Sequence, residues 1–237
     1  MGEEPYYTKR CFFLEEALKK NPRHGFTLIE LLIVLAVVGV VMGGIYTSFE
    51  SQNDSYVAQS EVTKMQQNLR GGMSLMMKEI RMAGCDPTGK ANAGIISADS
   101  NSMTFTLDTR GKDADDPPDG DTSDPNERIT YSLYDSDGDG VNDTLGRKTG
   151  GGSNRSAAEN IDALDFVYMD EDGMPTNVPS EIRSVQVTLL ARTARGDPGY
   201  RNEMQYANQQ GHVIYKANDN FRRKILTTDI KCRNLWF

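Results

Sequence analysis

The sequence predicts an α+β protein: one long N-terminal helix, membrane-spanning in its first half, packed by its second half against an antiparallel β-sheet. Three observations lead there. Residues 26–46 form an apolar run, FTLIELLIVLAVVGVVMGGIY, whose only charge is Glu30. Between Val62 and Ile80, apolar residues recur at steps of three and four. Beyond Pro87 the apolar positions fall into short runs separated by Gly-, Pro- and Asp-rich stretches. A helix followed by a series of strands is the α+β order, because a one-faced sheet needs a cover and an amphipathic helix supplies one.

Taken whole, the chain reads as an acidic soluble protein. It has 237 residues, 38% hydrophobic and 25% charged, with a formal net charge of -8, and its mean hydropathy is -0.55. These values exclude a multi-spanning membrane protein, a collagen-like or disulfide-dense scaffold, and a nucleic-acid binder driven by net positive charge. The average conceals the first element. At 1.5 Å per residue the run over 26–46 is about 30 Å long, the thickness of a bilayer's hydrocarbon core. Lys9, Arg10, Lys19, Lys20 and Arg23 precede it, with Glu3, Glu4, Glu15 and Glu16 among them, and Glu50 and Asp54 follow. The Lys and Arg bias places the N-terminus in the cytoplasm and the residues after Thr47 outside. A secretory signal peptide fits poorly, since the run exceeds an h-region and no Ala-x-Ala-like site with a polar flank follows.

Glu30 needs a cause. A carboxylate inside a spanning helix costs about 2.5–3.5 kcal/mol on insertion scales, and such groups reach the headgroups or find a partner. Its setting, Gly25-Phe26-Thr27-Leu28-Ile29-Glu30 opening an apolar helix, resembles the type IV pilin and pseudopilin family, whose signal is Gly, then Phe, three further residues and Glu. The resemblance implies a pilin fold and cleavage between Gly25 and Phe26 by a prepilin peptidase of the inner membrane. It also implies methylation of the new Phe26 amine, and a salt bridge from Glu30 to the amine of a neighbouring subunit during assembly. The chain then divides into a leader (1–25, removed), a transmembrane and filament-core helix (26–46), an amphipathic helix (47–86) and a β-rich periplasmic domain (87–237). The leader is longer than is common in the family and carries Cys11, Tyr6-Tyr7 and Phe12-Phe13. It is either a long-leader variant or the product of a start codon placed too early.

The amphipathic helix presents Val62, Met65, Leu69, Met73, Met76 and Ile80 as one stripe, with Lys64, Arg70, Lys78 and Arg81 on other faces. Gly71-Gly72 is expected to interrupt or kink it, and Gly84-Cys85-Asp86-Pro87 to stop it. Strands are expected at 94–98, 102–107, 129–134, 161–169, 182–192 and 222–235. The acidic stretch 108–127 and the Gly-rich 148–156 are expected to be mobile loops. Met77 to Cys85, Ile129-Thr130-Tyr131, Ile161 to Tyr168, Ile182 to Val185, Arg222-Arg223 and Arg233-Asn234 resemble the PilW group of minor pilins.

Asp135, Asp137, Asp139, Val141 (through its carbonyl) and Asp143 have the alternating oxygen spacing of a Ca²⁺ loop, with Gly140 at the sharp turn. Gly146 stands where an EF-hand needs a bidentate Glu and the flanks read as strands, so two readings stay open: a Ca²⁺ loop closed from elsewhere, or a solvated hairpin turn. Once the leader is removed, Cys85 and Cys232 remain. In an oxidising periplasm the pair reads as a disulfide tying the C-terminus to the helix end, or as two buried thiols. His212 alone survives cleavage, so no catalytic set is visible and no enzyme is expected. Gly39 and Gly43 form a small-xxx-small pair suited to close helix approach.

The resemblance implies a minor pilin that helps initiate pilus assembly, at the tip in one arrangement. Its partners would be the prepilin peptidase, other minor and major pilins, the inner-membrane assembly platform and the inner membrane itself. No nucleic-acid contact is indicated. It would sit in the inner membrane by a single span, its C-terminal domain in the periplasm, and later in a pilus or pseudopilus at the cell surface. Two alternatives remain: a J-type minor pseudopilin of type II secretion, and a signal-anchored Ca²⁺-binding or adhesive domain.

Overall fold

The computed structural model describes residues 25–113 and 115–235. The leader up to residue 24, with Cys11, lies outside the described residues. The chain comprises two compact units, one ending at Asp54 and the other beginning at Ser55. Helix α1 (Leu28–Ile80) contributes to both. In the first unit every described side chain from 25 to 54 is exposed, including Leu28 at 77% and Val40 at 78%. The helix is long and apolar enough to cross a membrane, with a mean hydropathy of 2.7 over its best window. An apolar helix with no face covered has the reverse of a globular protein's distribution, and its proper solvent is lipid or other apolar helices.

In the second unit α1 buries Met65, Leu69, Gly72, Met73, Met76 and Ile80, the stripe expected from the periodicity, while Val62 packs partly buried at its margin. The expected interruption at Gly71-Gly72 does not occur, and the helix runs unbroken through both. Gly72 serves close approach instead. A Cβ built there would lie 2.9 Å from Ala158 Cβ and 3.2 Å from Leu145 Cδ2, whereas one at Gly71 would meet nothing within 4 Å. Gly72→Val is therefore expected to destabilise by about 1–3 kcal/mol through overpacking. Gly71→Ala should stabilise by about 1 kcal/mol through helix propensity. Thermal melts of the two variants check the pair, and equal effects would contradict the packing argument.

The helix ends where expected, in a turn whose Gly84 has φ 78°. A Cβ on Gly84 would stand 2.3 Å from Leu235 Cδ2, so both conformation and space demand glycine. The Gly84 N–H donates to the Thr106 carbonyl at 3.0 Å, and Asn234 Nδ2 donates to the Arg81 carbonyl at 3.4 Å. The C-terminal 3-10 turn (Arg233–Leu235) thus packs on the helix end by these contacts. Cys85 and Cys232 are free thiols, so the expected bridge is not what fastens the C-terminus here. Burial pushes Cys232 up to about 12. Burial, then Asp108 and Asp86, raise Cys85.

The expected single sheet is three antiparallel sheets. The first has the order β1-β2-β3-β4-β5, from β1 (Ile95–Asp99), β2 (Ser102–Thr106), β3 (Arg128–Tyr134), β4 (Thr144–Thr149) and β5 (Arg155–Ala158). The second joins β6 (Ile161–Met169), β7 (Ser184–Arg192) and β10 (Arg223–Lys231) in the order β10-β7-β6. The third is the hairpin of β8 (Gln205–Ala207) and β9 (Val213–Lys216). The six expected strands correspond to β1, β2, β3, β6, β7 and β10. β4 and β5 enter the stretch expected to be a loop, at 148–156. Their residues, TLGRKT and RSAA, are mostly polar or small and leave no alternation to read.

One half-buried polar cluster, centred on the buried Tyr131, ties the helix to the first sheet. Tyr131 Oη donates to Glu79 Oε2 at 2.5 Å, and Arg147 Nε lies 2.9 Å from both Glu79 oxygens. Burial, then the Glu79 hydrogen bond, raises the Tyr131 phenol, which stays protonated and donating. In the second sheet β7 is buried along both faces. Gln186 there donates through Nε2 to Gln209 Oε1 at 2.7 Å and to Asp229 Oδ1 at 2.8 Å, while its Oε1 is buried without a hydrogen-bond partner. Asn208 Nδ2, in the turn between β8 and β9, donates to Asp165 Oδ2 at 2.9 Å.

Candidate assembly site and acidic loops

Phe26 is 90% exposed just ahead of α1. Thr27 caps the helix: its Oγ1 accepts from the Glu30 N–H at 3.3 Å. In return Glu30 Oε2 accepts from the Thr27 N–H at 2.9 Å and from the Thr27 hydroxyl at 2.8 Å. This reciprocal pair is a capping box, which satisfies helix N–H groups that have no carbonyl partner. The spacing Thr-x-x-Glu could have revealed it in the sequence. Both contacts fall on Oε2, so among the described residues the Glu30 Oε1 has no partner. Glu30 is held in one place with an oxygen still available, on a helix segment that is exposed all round. That arrangement can take one cation at the helix N-terminus while the apolar faces beside it take other helices.

The acidic hairpin between β3 and β4 assembles only part of its expected ligand set. Asp135, Asp137 and Asp139 offer oxygens within 4.8 Å of one another. These carboxylates also serve the turn, Asp135 accepting from Gly138 N–H at 2.7 Å and Gly140 N–H at 2.9 Å. The same two N–H groups, Gly140 first, hold its carboxyl below the usual range. Asp139 accepts from the Val141 N–H at 2.8 Å. The Val141 carbonyl accepts from the Asp143 N–H at 3.1 Å. Asp143 is drawn away to Arg192 Nη2 at 2.5 Å. The five expected ligands are therefore divided: three converge and two are engaged elsewhere, because a β7 arginine remote in sequence claims the last of them.

That arginine belongs to a network the sequence did not disclose. Arg192 Nε also bonds Asp162 at 3.0 Å, and Asp162 bonds Arg223 at 2.6 Å. Arg223, whose side chain is 1% exposed, also bonds Asp219 at 2.6 Å. It lies over the Tyr215 ring at 4.8 Å, and Arg192 lies over Phe221 at 4.9 Å. The Arg223 hydrogen bond holds the Asp219 carboxyl below its ordinary range. The network ties β6, β7, β10, β9 and the acidic hairpin together. Arg222, its neighbour in the doubled arginine, instead pairs with Asp197 at 2.7 Å at the surface. His212 is an exposed residue of the β8–β9 turn whose N–H donates to Asn208 Oδ1 at 2.9 Å.

The stretch expected to be a mobile loop between β2 and β3 is tied down. Glu127, fully buried, accepts through Oε1 from the Thr109 and Arg110 N–H groups at 2.9 and 3.3 Å. Its Oε2 accepts from the Asp124 N–H at 3.3 Å. A second carboxylate group, Asp119, Asp121 and Asp124, gathers there within 4.8 Å. Buried acids in a sequence this polar gave no signal, since burial is set by the chain's return path and not by local hydropathy.

An exposed apolar helix opened by Gly25-Phe26 and a capped Glu30 leads into a helix-on-sheet body, and the start of the chain carries a prokaryotic N-terminal methylation motif. Residues 20–46 match the family model described as the prokaryotic N-terminal methylation motif. The chain is similar to the toxin coregulated pilin of Vibrio cholerae, 36% identical over 110 residues, which are 41% of this chain and 47% of that protein. It thus spans about half the length of the curated relative it matches. Among solved structures it is similar to a type IV-like pilin from Thermus thermophilus, with a TM-score of 0.48 and 12% identity over 73% of this chain and 98% of that one.

Proposed function

We propose that the chain is a minor type IV pilin of the PilW kind, cut by a prepilin peptidase between Gly25 and Phe26, methylated on Phe26, and joined to other pilins to initiate pilus assembly. The observation that carries the reading is the pairing of an uncovered apolar helix with one capped acid at its start. The helix holds the precursor in the inner membrane, and in the filament the same surface packs on other subunits. Glu30 then receives the methylated amine of a neighbour. In low dielectric each charge is tolerated only where it finds the other, so the pair selects one axial register between subunits. The PilW-like segments, including Arg222-Arg223 and Arg233-Asn234, support the minor-pilin role. A J-type minor pseudopilin of type II secretion is the second reading, and likeness to a curated pilin favours the pilus over it. Deleting the gene and scoring surface pili, twitching and protein secretion in one strain tests the choice. Lost pili with normal secretion is the expected result; lost secretion with normal pili would transfer the chain to the pseudopilus.

A further inference from the structure

In the second unit, the face of α1 turned away from the buried stripe is basic and has no counter-charge of its own. Gln67, Arg70, Gly71, Ser74, Lys78 and, just past the helix end, Arg81 are all exposed. At about 100° per residue they fall within an arc of about 100° opposite the buried stripe, over a length of about 21 Å. No acid shares this face: Glu79 turns inward to Arg147, and Glu61 pairs with Lys64. Among the described residues Arg70, Lys78 and Arg81 form no ion pair. Cations in a last turn complement the helix dipole, which accounts for Lys78 and Arg81 but not for Arg70, about three turns before the end. Gly71 lies in the middle of the face. Glycine is a poor helix former, and a Cβ at Gly71 would meet nothing within 4 Å, so no contact inside the chain uses the space it leaves.

We propose that this face docks the acidic β2–β3 loop of a second copy of the chain. Asp113, Asp115, Asp116, Asp119 and Asp121 are exposed on that loop, and among the described residues none of them forms an ion pair. The loop is held in place: Glu127 gathers the Thr109, Arg110 and Asp124 N–H groups, and Arg110 Nε donates to the Pro125 carbonyl at 2.9 Å. A fixed set of carboxylates meets a helix-borne row of cations at little ordering cost. Arg70 and Arg81 suit the task, because a guanidinium fork takes both oxygens of a carboxylate. Lys90, Arg128 and Lys148 line a cleft with Asp121 and Asp124; Asp113, Asp115 and Asp116 do not line it and are the acids left for a partner. A second copy is the partner because both halves of the charge match are present in one folded unit and do not meet within it. Face and loop are different patches, so the contact is heterologous: each copy gives its face to one neighbour and its loop to another, and copies add in one direction. Glu30 and the apolar run take no part, so failure of this docking would leave the pilin reading untouched.

The test is sedimentation of the full chain in excess detergent micelles, which keep the apolar helices apart. At about 0.1 M salt the long-range repulsion between acidic chains is screened while close pairs still act, and at about 1 M the pairs are screened too. Concentration-dependent association is expected at the lower salt and should weaken roughly tenfold or more at the higher. Arg70→Glu with Lys78→Glu, and separately Asp113→Lys with Asp115→Lys, should each abolish association, because each variant presents like charges to its own kind. An equimolar mixture of the two variants should associate again, since each chain's face then meets the other's loop with opposite charge. Arg70→Gln with Lys78→Gln gives the first result in milder form should the reversed face lose its fold, which thermal melts reveal. A monomeric unaltered chain, association indifferent to salt or to both variants, or a mixture that stays dissociated would each overturn the docking.

Discussion

Glu30→Gln should abolish incorporation into filaments while leaving the precursor in the membrane. The amide can still accept from the Thr27 N–H and hydroxyl, so the capping box persists and only the charge is lost. A cation and a carboxylate about 4 Å apart attract by roughly 4 kcal/mol at an effective dielectric of 20, close to a thousandfold in an equilibrium constant. In the proposed pairing, removing one member also leaves the neighbour's amine unpaired in an apolar bundle, which costs about 3–5 kcal/mol. Glu30→Ala removes charge and cap together, the cap being worth about 1 kcal/mol, and should fail at least as completely. Immunoblots of membrane and sheared-pilus fractions make the measurement. Normal assembly with Gln but not with Ala would reduce Glu30 to a helix cap, and normal assembly with both would remove it from the mechanism.

The second large effect is expected at Arg223. Arg223→Ala should destabilise the sheet-bearing unit by about 3–5 kcal/mol, because it leaves the buried Asp162 and part of Asp219 without their principal partner. In a body of this size that corresponds to roughly 10 °C or more in melting temperature. Asp162→Asn in the Arg223→Ala background should recover part of the loss, since the uncompensated charge is what costs most. Arg201→Ala provides the contrast: its partner Glu203 and Arg201 itself are 70% and 66% exposed, and the change should stay within about 0.5 kcal/mol. Equal losses at Arg201 and Arg223 in thermal melts would show that the buried network has no special weight.

Much of the architecture was legible because it rests on periodicity. Met65, Leu69, Met73, Met76 and Ile80 announce a buried helical face at steps of three and four, and β6, β7 and β10 are apolar enough to read as strands. The lone Glu30 after Gly25-Phe26 stands out in the sequence because a charge in an apolar run needs a reason. β4, β5, β8 and β9 escaped notice because they are three to six residues long, too short to show a clear alternation. Their strand form comes from ladder partners, Leu145 opposite Leu133 and Tyr206 opposite Tyr215, and not from local composition. Gly72 misled for a related reason: a glycine that breaks an isolated helix is the residue a close helix-to-sheet contact requires.

The sequence by itself determined the apolar first half of the helix, the amphipathic second half, the strand-rich remainder and the processing motif, since each depends on residues adjacent in the chain or one turn apart. Only the tertiary structure decided what the acids do. Asp143 and Asp162 meet Arg192 and Arg223, Glu79 meets Tyr131 and Arg147, and the buried Glu127 of the β2–β3 loop meets backbone N–H groups. Electrostatic partnership depends on distance through space and on burial, and neither is written in the spacing of charges along the chain.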